Sequence, residues 1–522
     1  MRSILVMRPL TRCSRRRSWR GASSNAPTSS TPPPPPPPRV VLNGPGVALE
    51  ALGPVVVHTD GSISRIENWS EMTDAEQAAT RRIIGKRNEE RRAALNVDAP
   101  STANEQQPLG LRELPRFEME KLEGWTHAVH QLAASDCEPL GLHELLALAN
   151  DEERSQWESL SLGYPASTRG DTALLGLLAS GLYADANLDP HRHLLGVAPA
   201  EGILLAMHAL LEPGDTAIVT TPAYASLRTV AQHALGCEIK PWPVVWKGSS
   251  GRPYFSIDYL RRLLEEQRPS ARNIGIAKKT VVVVNFPHNP TGFLPSLTEW
   301  NTLIELCDEH NAYLFSDEMY RHLECRNDGG AGTSSTSASA TRTLPSAVES
   351  YARGVTLSGL SKAYGLAGLR IGWLASRDET LIERCSELKD YTSICAAAPS
   401  ECLAMIALRN REQLWARSNG LIERNALKFD AFASEFSDVL EWTMPEAGPV
   451  ALPKLKLKQG RGAAAHCAAA LREEGVMLIA EGEFGELSEG GVVPDARVRI
   501  GLGREGFSAM LNAWGRVLER ER

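Results

Sequence analysis

From about Leu114 to the C-terminus, segments with apolar residues three and four positions apart alternate with short segments that are apolar throughout. The first pattern is typical of amphipathic helices, and the second is typical of strands buried on both faces. For example, EGILLAMHALL (201–211) predicts a helix that ends before Pro213, and TAIVTT (216–221) predicts the strand that follows. This alternation predicts a three-layer α/β fold, in which a mostly parallel sheet lies between two layers of helices.

Later segments continue the alternation. Helices are predicted for SIDYLRRLLEEQ and LTEWNTLIELCDEH, and strands for TVVVVN, AYLFS, GVTLS and LRIGWLAS. A low-complexity stretch at 329–343 predicts an inserted surface loop. From about Gly420 the pattern changes to one long helix followed by short strands, which predicts a smaller C-terminal α+β domain. We therefore expect an N-terminal arm with a large domain at 114–419 and a small domain at 420–522.

The first 49 residues (1–49) differ from the rest in composition. They contain eight arginines, no lysine and no acidic residue, and they include a run of seven prolines. An Arg-rich and Ser-rich segment without acids predicts an organelle transit peptide, which would direct the chain to the mitochondrial matrix or to a plastid. The alternative is an ordinary disordered tail, and a cytoplasmic location would then be expected. Residues 50–113 predict a helical extension, with a helix at 72–95, and a linker.

Composition and charge argue against several classes of protein. The net charge of -7 and the sequence pI of about 6.0 do not indicate a nucleic-acid partner. No apolar run approaches the roughly 18 residues of a membrane span, so no membrane association is expected. The nine cysteines show no C-x-x-C pair and no zinc-like spacing, so neither a disulfide framework nor a metal site is predicted.

Reactive side chains follow the predicted strands where these end. VVVVNFPHNPTGF brings Asn289 into a turn, SDEMY brings Asp317 and Tyr320, and SKAYGLAGLR brings Lys362 and Arg370. The asparagine and prolines could simply form a turn, but ligands of open α/β sheets bind at the carboxyl ends of strands. A lysine amine, a carboxylate, an amide, a phenol and an arginine are the groups that pyridoxal phosphate requires, for its aldehyde, pyridine nitrogen, phenolic oxygen and phosphate.

These motifs resemble those of the class I/II aminotransferases, which are fold-type I pyridoxal phosphate enzymes. The resemblance extends over roughly 114–522, and NPTG, D-x-x-Y and S-K-x-x-G-L-x-G-x-R occur in the family's order. It implies Lys362 as the catalytic residue and transfer of an amino group from an amino acid to a 2-oxo acid. Another pyridoxal phosphate reaction on the same site, such as elimination, replacement, cyclisation or oxidation, remains an alternative. A non-enzymatic regulator built on such a domain is a second alternative.

The resemblance implies further site residues. Tyr224 matches the position whose ring stacks on the cofactor, and Ala200 and Glu201 match the helix start whose amides bind the phosphate. Tyr164 matches the residue that reaches the phosphate of the partner subunit, which implies a homodimer. Arg499 matches the arginine that binds the α-carboxylate of the substrate, for which a guanidinium fork is suited.

The chain departs from the family at one phosphate-binding position. The serine usually found three residues before the lysine is Gly359 here, and Ser358 and Ser361 lie on either side of it. Either hydroxyl could bind the phosphate, and Ser361 is our candidate.

The sequence gives less information about the residues that bind the substrate. LAASDCEPLGLHELL (132–146) takes the place of a glycine-containing turn that lies over the substrate in the family, and it carries Asp136 and Glu138. Asp136 or Ser135 could instead be the N-cap of the following helix. A carboxylate facing a partly dry pocket would favour a cationic side chain. Because some similar family members act on arginine or its derivatives, we expect arginine, ornithine or lysine to be preferred, with Asp136 as a substrate-binding residue.

Overall fold

The computed structural model describes residues 55–57, 63–65, 73, 128–247, 251–267, 278–324, 343–456, 462–485 and 496–522. The chain divides into two units, Met1–Glu105 and Gln106–Arg522. In the first unit, Val55–Val57 (β1) pairs antiparallel with Ile63–Arg65 (β2). The predicted transit segment lies outside the described residues. So do the predicted helix at 72–95, apart from Thr73, and nearly all of the 329–343 insert. The predicted domain limits stay predictions.

The second unit is built on an eight-stranded sheet. Its strands are Leu194–Val197 (β3), Thr216–Thr221 (β4), Glu238–Lys247 (β5), Arg252–Phe255 (β6), Thr280–Asn285 (β7), Tyr313–Asp317 (β8), Gly354–Gly359 (β9) and Gly372–Ser376 (β10). The spatial order is β3-β10-β9-β8-β7-β4-β5-β6. The ladders from β5 through β4, β7 and β8 to β9 are parallel, whereas β10 and β6 pair antiparallel with their neighbours. The mostly parallel sheet predicted from the sequence is therefore confirmed.

Helices connect and cover these strands. They are Leu142–Ala147, Asp151–Glu158, Thr172–Leu177, Pro199–Leu210, Ala225–Thr229, Ile257–Glu266, Leu297–Glu309, Ala347–Ser350, Glu379–Lys389 and Ala398–Arg409. Short π-helical turns at Leu178–Leu182 and Val230–Ala234 extend two of them. In the described part of the chain, no helix is both long and apolar enough to cross a membrane.

Both faces of the sheet are buried, which explains the uninterrupted apolar runs. Along β7, Val281 and Val283 pack into one core with the helix Pro199–Leu210, while Val282 and Val284 pack into a second core with Ile257–Glu266 and Leu297–Glu309. All four valines are fully buried. Because successive side chains of a strand point to opposite faces, a strand between two helical layers must be apolar at every position.

The C-terminal part contains a long helix and two small sheets. Arg411–Glu435 is that helix, and position 420 lies inside it. Leu440–Glu441 (β11) pairs with Lys454–Leu455 (β13), and Val498–Gly501 (β15) lies between Val450–Ala451 (β12) and Ile479–Ala480 (β14), all antiparallel. The described residues of this part also form the helices Ala463–Glu474 and Phe507–Glu521.

Two local predictions are wrong. The strand predicted at 369–376 begins only at Gly372, because Ala367–Leu369 forms a 3₁₀ turn and Arg370 has φ 53°, in the left-handed region. The helix after the 132–140 segment is capped by neither Ser135 nor Asp136. Its N-cap is Gly141, whose amide donates to the Glu144 carboxylate at 2.6 Å.

Candidate active site

The carboxyl ends of β7 and β8 are joined by Asn285, the last residue of β7. Its Nδ2 donates to the backbone carbonyl of Asp317, the last residue of β8, at 2.9 Å. Its Oδ1 accepts a hydrogen bond from the backbone amide of Asn289 at 2.8 Å. One buried amide therefore fixes the positions of two predicted cofactor-binding residues relative to each other.

The NPTG turn is also fixed by His288, which is fully buried. Burial lowers the pKa of His288 to about 3, so its imidazole is neutral. Nε2 lies 2.9 Å from the Pro222 carbonyl and must donate to it, so Nδ1 accepts from the Thr291 hydroxyl at 2.8 Å. Pro222 begins the turn that carries Tyr224. Strand β7 is thus followed by a turn that hydrogen bonds hold to a second loop of the site.

Lys362 follows β9 and extends toward these strand ends. Its Nζ donates to the Ser135 hydroxyl at 3.0 Å. Removal of the amine from water lowers the pKa of Lys362 below its usual value, although Asp136 opposes this shift. Burial has the opposite effect on Asp317, whose pKa is raised to about 7. The phenol of Tyr320 is almost fully buried, and burial raises its pKa as well.

Arg370 and Ser361 lie next to each other in the site. Arg370 Nη1 donates to the Ala367 carbonyl at 3.0 Å and lies 3.5 Å from the Ser361 hydroxyl. Ser358, in contrast, points toward the Glu318 carbonyl at 3.5 Å. Gly359 pairs with Gly372 of β10, and a Cβ at Gly359 would lie 2.9 Å from the Gly372 Cα. The close approach of these two strands therefore excludes the family's usual serine at this position.

The helix Pro199–Leu210 points its N-terminus at the same region. The amides of Ala200 and Glu201 lie in the first turn, where no intrahelical carbonyl accepts from them. The Glu201 carboxylate accepts from the amide of Ala198, the N-cap residue, at 3.0 Å and hydrogen-bonds Thr392. Glu201 therefore contributes its side chain to capping and can contribute only its backbone to a ligand.

Arg499 of β15 reaches the site from the C-terminal part. Its guanidinium donates to Asn289 Oδ1 at 3.2 Å and to the Ala133 carbonyl at 2.9 Å, and it lies 5.0 Å from the centre of the Phe484 ring. Arg497 instead donates to the Leu452 carbonyl and stacks on Trp246. Arg499, inside the strand, therefore faces the site, whereas Arg497, just before the strand, does not.

A cavity of about 210 Å³ joins these groups. Its lining residues are Ser135, Pro199, Ala200, Ile203, Tyr224, Asn285, Asn289, Asp317, Met319, Tyr320, Leu357, Ser361, Lys362, Ala367, Arg370, Ile479, Phe484 and Arg499. The two hydroxyls left open by the sequence are distinguished here, because Ser361 lines the cavity and Ser358 does not.

Three predicted residues do not contribute a side chain to the cavity. Glu201 caps its helix, as described above. Asp136 accepts two hydrogen bonds from Arg504 Nη2, both at 2.9 Å, and its carboxylate lies outside the lining. Tyr164 is 84% exposed in the single chain. Its predicted reach into a partner's site, and the homodimer that this implies, stay predictions.

The family model of aminotransferase class I and II matches residues 167–505. The chain belongs to this family.

Individual proteins are also similar to this chain. Capreomycidine synthase of Streptomyces vinaceus is 27% identical over 309 residues, which cover 58% of this chain and 68% of the relative. Arginine–pyruvate transaminase of Pseudomonas aeruginosa is 26% identical over 348 residues, which cover 65% of this chain and 77% of the relative. The solved structure of a PLP-dependent aminotransferase from Streptococcus suis matches with a TM-score of 0.65 and 26% identity, over 78% of this chain and 99% of that one.

Class I and II aminotransferases use pyridoxal phosphate, and the donor set of the cavity fits this cofactor. Asp317 receives one hydrogen bond from the Met319 amide at 3.1 Å, and a cationic ring nitrogen would give its buried carboxylate a charged partner. Asn289 and Tyr320 offer an amide and a phenol for the phenolic oxygen. Lys362 offers the amine that joins the aldehyde.

The aminotransferase motifs did not reveal every lining residue. Ser135, Asn285 and Phe484 line the cavity but were not assigned a role in the site from the sequence. For Asn285, a usable signal exists: it is a polar residue that ends an apolar strand directly before the NPTG turn. Ser135 and Phe484 come from segments far from that motif, and only the tertiary fold brings them to it.

The phosphate position gives a direct test of Ser361. We expect Ser361→Ala to weaken binding of pyridoxamine phosphate by about ten-fold, the usual effect of losing a hydrogen bond to a charged group. Ser358→Ala should change this affinity by less than about two-fold, because its hydroxyl lies outside the cavity. Pyridoxamine phosphate is the suitable probe because it has no aldehyde to react with Lys362. An equal loss in both variants, measured by absorbance titration, would contradict the assignment.

Proposed function

We propose that this chain transfers an amino group from an amino acid to a 2-oxo acid at the cavity around Lys362. One observation carries the proposal: the Lys362 amine, the Asp317 carboxyl and the Arg499 guanidinium line one cavity of about 210 Å³. An amine, a carboxyl and a guanidinium in one cavity provide a base, a partner for the cofactor ring and a site for the substrate carboxylate. Membership of the aminotransferase family supports this reading.

The bound cofactor supplies the electron sink that makes the α-proton of an amino acid acidic enough to remove. Asp317 would place a carboxylate next to the ring nitrogen and hold a proton there. Tyr224 would pack against the ring, and Asn289 and Tyr320 would donate to the phenolic oxygen. Ser361, Arg370 and the helix-start amides of Ala200 and Glu201 would bind the phosphate.

Lys362 moves the proton. Burial lowers the pKa of Lys362, which increases the fraction of neutral amine, and a neutral amine can act as a base. With the cofactor bound, the Lys362 amine would be the group that takes and holds the proton of the substrate's α-carbon. Arg499, held by Asn289 and the Ala133 carbonyl, fixes the substrate carboxylate so that the α-carbon lies within reach of the amine.

The lining of the cavity and the relatives bear on which substrate side chain is preferred. Among the described lining residues, Lys362, Arg370 and Arg499 are basic and Asp317 is the acidic one. A preference for arginine-like substrates is supported by the similarity to arginine–pyruvate transaminase. The ion pair of Asp136 with Arg504 opposes it, because that carboxylate already has a cationic partner. The proposal is therefore transamination, with an arginine-like donor as one substrate to be tested.

Absorbance titration of the holoprotein with each of the twenty amino acids, without a 2-oxo acid, tests the proposal. At least one amino acid should convert the bound cofactor to its amine form and release an equal amount of 2-oxo acid. If arginine-like amino acids are preferred, Asp136→Asn should reduce that preference, whereas Asp308→Asn, an exposed helix residue, should not. Better turnover of acidic amino acids would remove the arginine hypothesis, and no conversion by any amino acid would count against transamination.

A second reaction on the same site is favoured by one comparison. Capreomycidine synthase, one of the relatives above, is named as a synthase and not as a transaminase. The two reactions differ in their need for a second substrate, because a transaminase consumes one 2-oxo acid for each 2-oxo acid formed. Sustained turnover of an amino acid without any added 2-oxo acid would therefore favour the alternative.

A further inference from the structure

Ser135 belongs to the 132–138 segment, which lies directly against β15. Gly501 donates its amide to the Leu132 carbonyl at 2.6 Å, and a Cβ at Gly501 would lie 1.7 Å from the Ala134 carbonyl oxygen. No residue with a side chain could therefore occupy this position without displacing the segment. The glycine of RIG thus allows the segment to approach the strand and places Ser135 at the cavity.

Further contacts on both sides hold the segment in place. The Ala133 amide donates to the Met477 carbonyl at 3.0 Å, and its carbonyl accepts from Arg499. After Ser135, Asp136 pairs with Arg504 through two hydrogen bonds. The Ser135 side chain is therefore presented from a backbone that is fixed before and after it.

The Ser135 hydroxyl contacts the reactive amine of Lys362 directly. Its Oγ accepts a hydrogen bond from Lys362 Nζ at 3.0 Å, across 227 residues of sequence. The hydroxyl's own proton is not needed for this bond, so the hydroxyl can donate it to another acceptor. Ser135 thus holds the amine through its oxygen alone.

We propose that Ser135 is a positioning residue that holds the Lys362 amine whenever this amine is not bonded to the cofactor. The inference rests on the proposed function, in which the released amine acts as the base. An amine that donates one N–H to a fixed oxygen has fewer orientations, so its lone pair is more often directed at the substrate's α-carbon. Ser135 neither gains nor loses a proton: it accepts from the amine and keeps its own hydrogen.

The kinetics of the half-reaction test this role. In the half-reaction, an amino acid converts the bound cofactor to its amine form without a 2-oxo acid. Ser135→Ala should lower the single-turnover rate by about five- to ten-fold, the size expected for one lost hydrogen bond. The substrate dissociation constant should change by less than about two-fold, because Arg499 still binds the carboxylate. Ser135→Thr, which keeps the hydroxyl, should recover most of the rate. Ser434→Ala, whose hydroxyl bonds a helix carbonyl on the surface, is the matched control.

A second measurement does not depend on turnover. In cofactor-free protein, the pH dependence of the rate at which Lys362 captures the cofactor aldehyde reports the pKa of the free amine. A hydroxyl that accepts from the ammonium form stabilises it, so Ser135→Ala should move the midpoint to lower pH. The groups that act electrostatically on the amine, Asp136, Cys137, Asp317 and Arg499, are unchanged in this variant.

These two measurements distinguish failure of the proposed function from failure of the Ser135 inference. If wild-type protein captures the cofactor but converts no amino acid, the proposed function fails and the capture midpoint still decides the role of Ser135. If wild-type protein converts amino acids and Ser135→Ala matches it in rate and midpoint, the Ser135 inference is overturned alone. A loss of rate that Ser135→Thr does not recover, with an unchanged midpoint, would also overturn it, because that result indicates a change in shape and not a lost hydroxyl.

Discussion

Replacement of Lys362 by alanine is expected to abolish covalent retention of pyridoxal phosphate and to lower the half-reaction rate by roughly 10²- to 10⁴-fold, the usual contribution of a positioned base. The variant loses both the amine that joins the aldehyde and the base that moves the α-proton. Treatment of the holoprotein with borohydride followed by intact mass measurement checks the first effect. Wild-type protein should gain the mass of one reduced cofactor, and the variant should gain none.

Two further lysine variants sharpen this experiment. Lys362→Arg keeps the positive charge but removes the reactive amine, so it should also fail to retain the cofactor covalently. Lys389→Arg is the control, since Lys389 is a buried lysine whose amine donates to Ser393 and does not line the cavity. It should retain the cofactor as the wild type does. Covalent retention in Lys362→Ala would show that another lysine is the attachment site.

Most of the large-domain elements could be predicted from the sequence because each has a local cause. The four valines of β7 indicate a strand buried on both faces, and Ser296 with Glu299 forms the capping box that begins the helix Leu297–Glu309. The start of β10 could not be predicted in this way. The left-handed conformation of Arg370 is unusual for a residue with a side chain, and nothing in the local pattern indicates it.

The site was predictable where its residues stand in motifs and not where tertiary packing alone brings them in. Asn289, Asp317, Tyr320, Lys362 and Arg370 all line the cavity, as expected for residues at strand ends. Their chemical roles stay proposals until variants are measured.

The wrong N-cap prediction concerns the segment 132–140, which precedes the helix Leu142–Ala147. Its position depends on the close approach of Ala134 to Gly501, more than 360 residues away in sequence, which no local pattern encodes. The same packing turns Asp136 toward Arg504 and Ser135 toward Lys362. The Asp136 carboxylate, which the sequence suggested for the substrate, is therefore paired with Arg504. The neighbouring residue, Ser135, lines the cavity instead.

Asp317→Asn should have two opposite effects, one on activity and one on stability. The half-reaction should slow by 10²-fold or more, because a neutral amide cannot hold the proton on the ring nitrogen. The cofactor-free protein, however, should become more stable near pH 8. Burial raises the pKa of Asp317 from an ordinary value near 3.8 to about 7, so the folded protein binds this proton more tightly than the unfolded chain does.

The sign of the pH dependence follows from that shift. Well below pH 3.8 the carboxyl is protonated in both states, so asparagine and aspartic acid should give similar free energies of unfolding. Between pH 3.8 and 7 the unfolded chain ionises while the folded protein keeps the proton, so wild-type protein loses up to about 4 kcal/mol, at 1.36 kcal/mol for each pKa unit. Asparagine carries no charge and avoids this loss, while its Oδ1 can still accept from the Met319 amide. The stabilisation by Asp317→Asn should therefore grow from pH 4 to pH 7 and level off above it.

Urea unfolding of the two cofactor-free proteins at pH 5, 6, 7 and 8 measures this difference directly. Asp308→Asn is the matched control, because its carboxylate is exposed and should show no growing difference from wild type. A constant difference between wild type and Asp317→Asn across these pH values would contradict the buried-charge account. Adding pyridoxal phosphate should reverse the order at pH 8, since the cationic ring nitrogen gives the Asp317 carboxylate the partner that the asparagine variant cannot use.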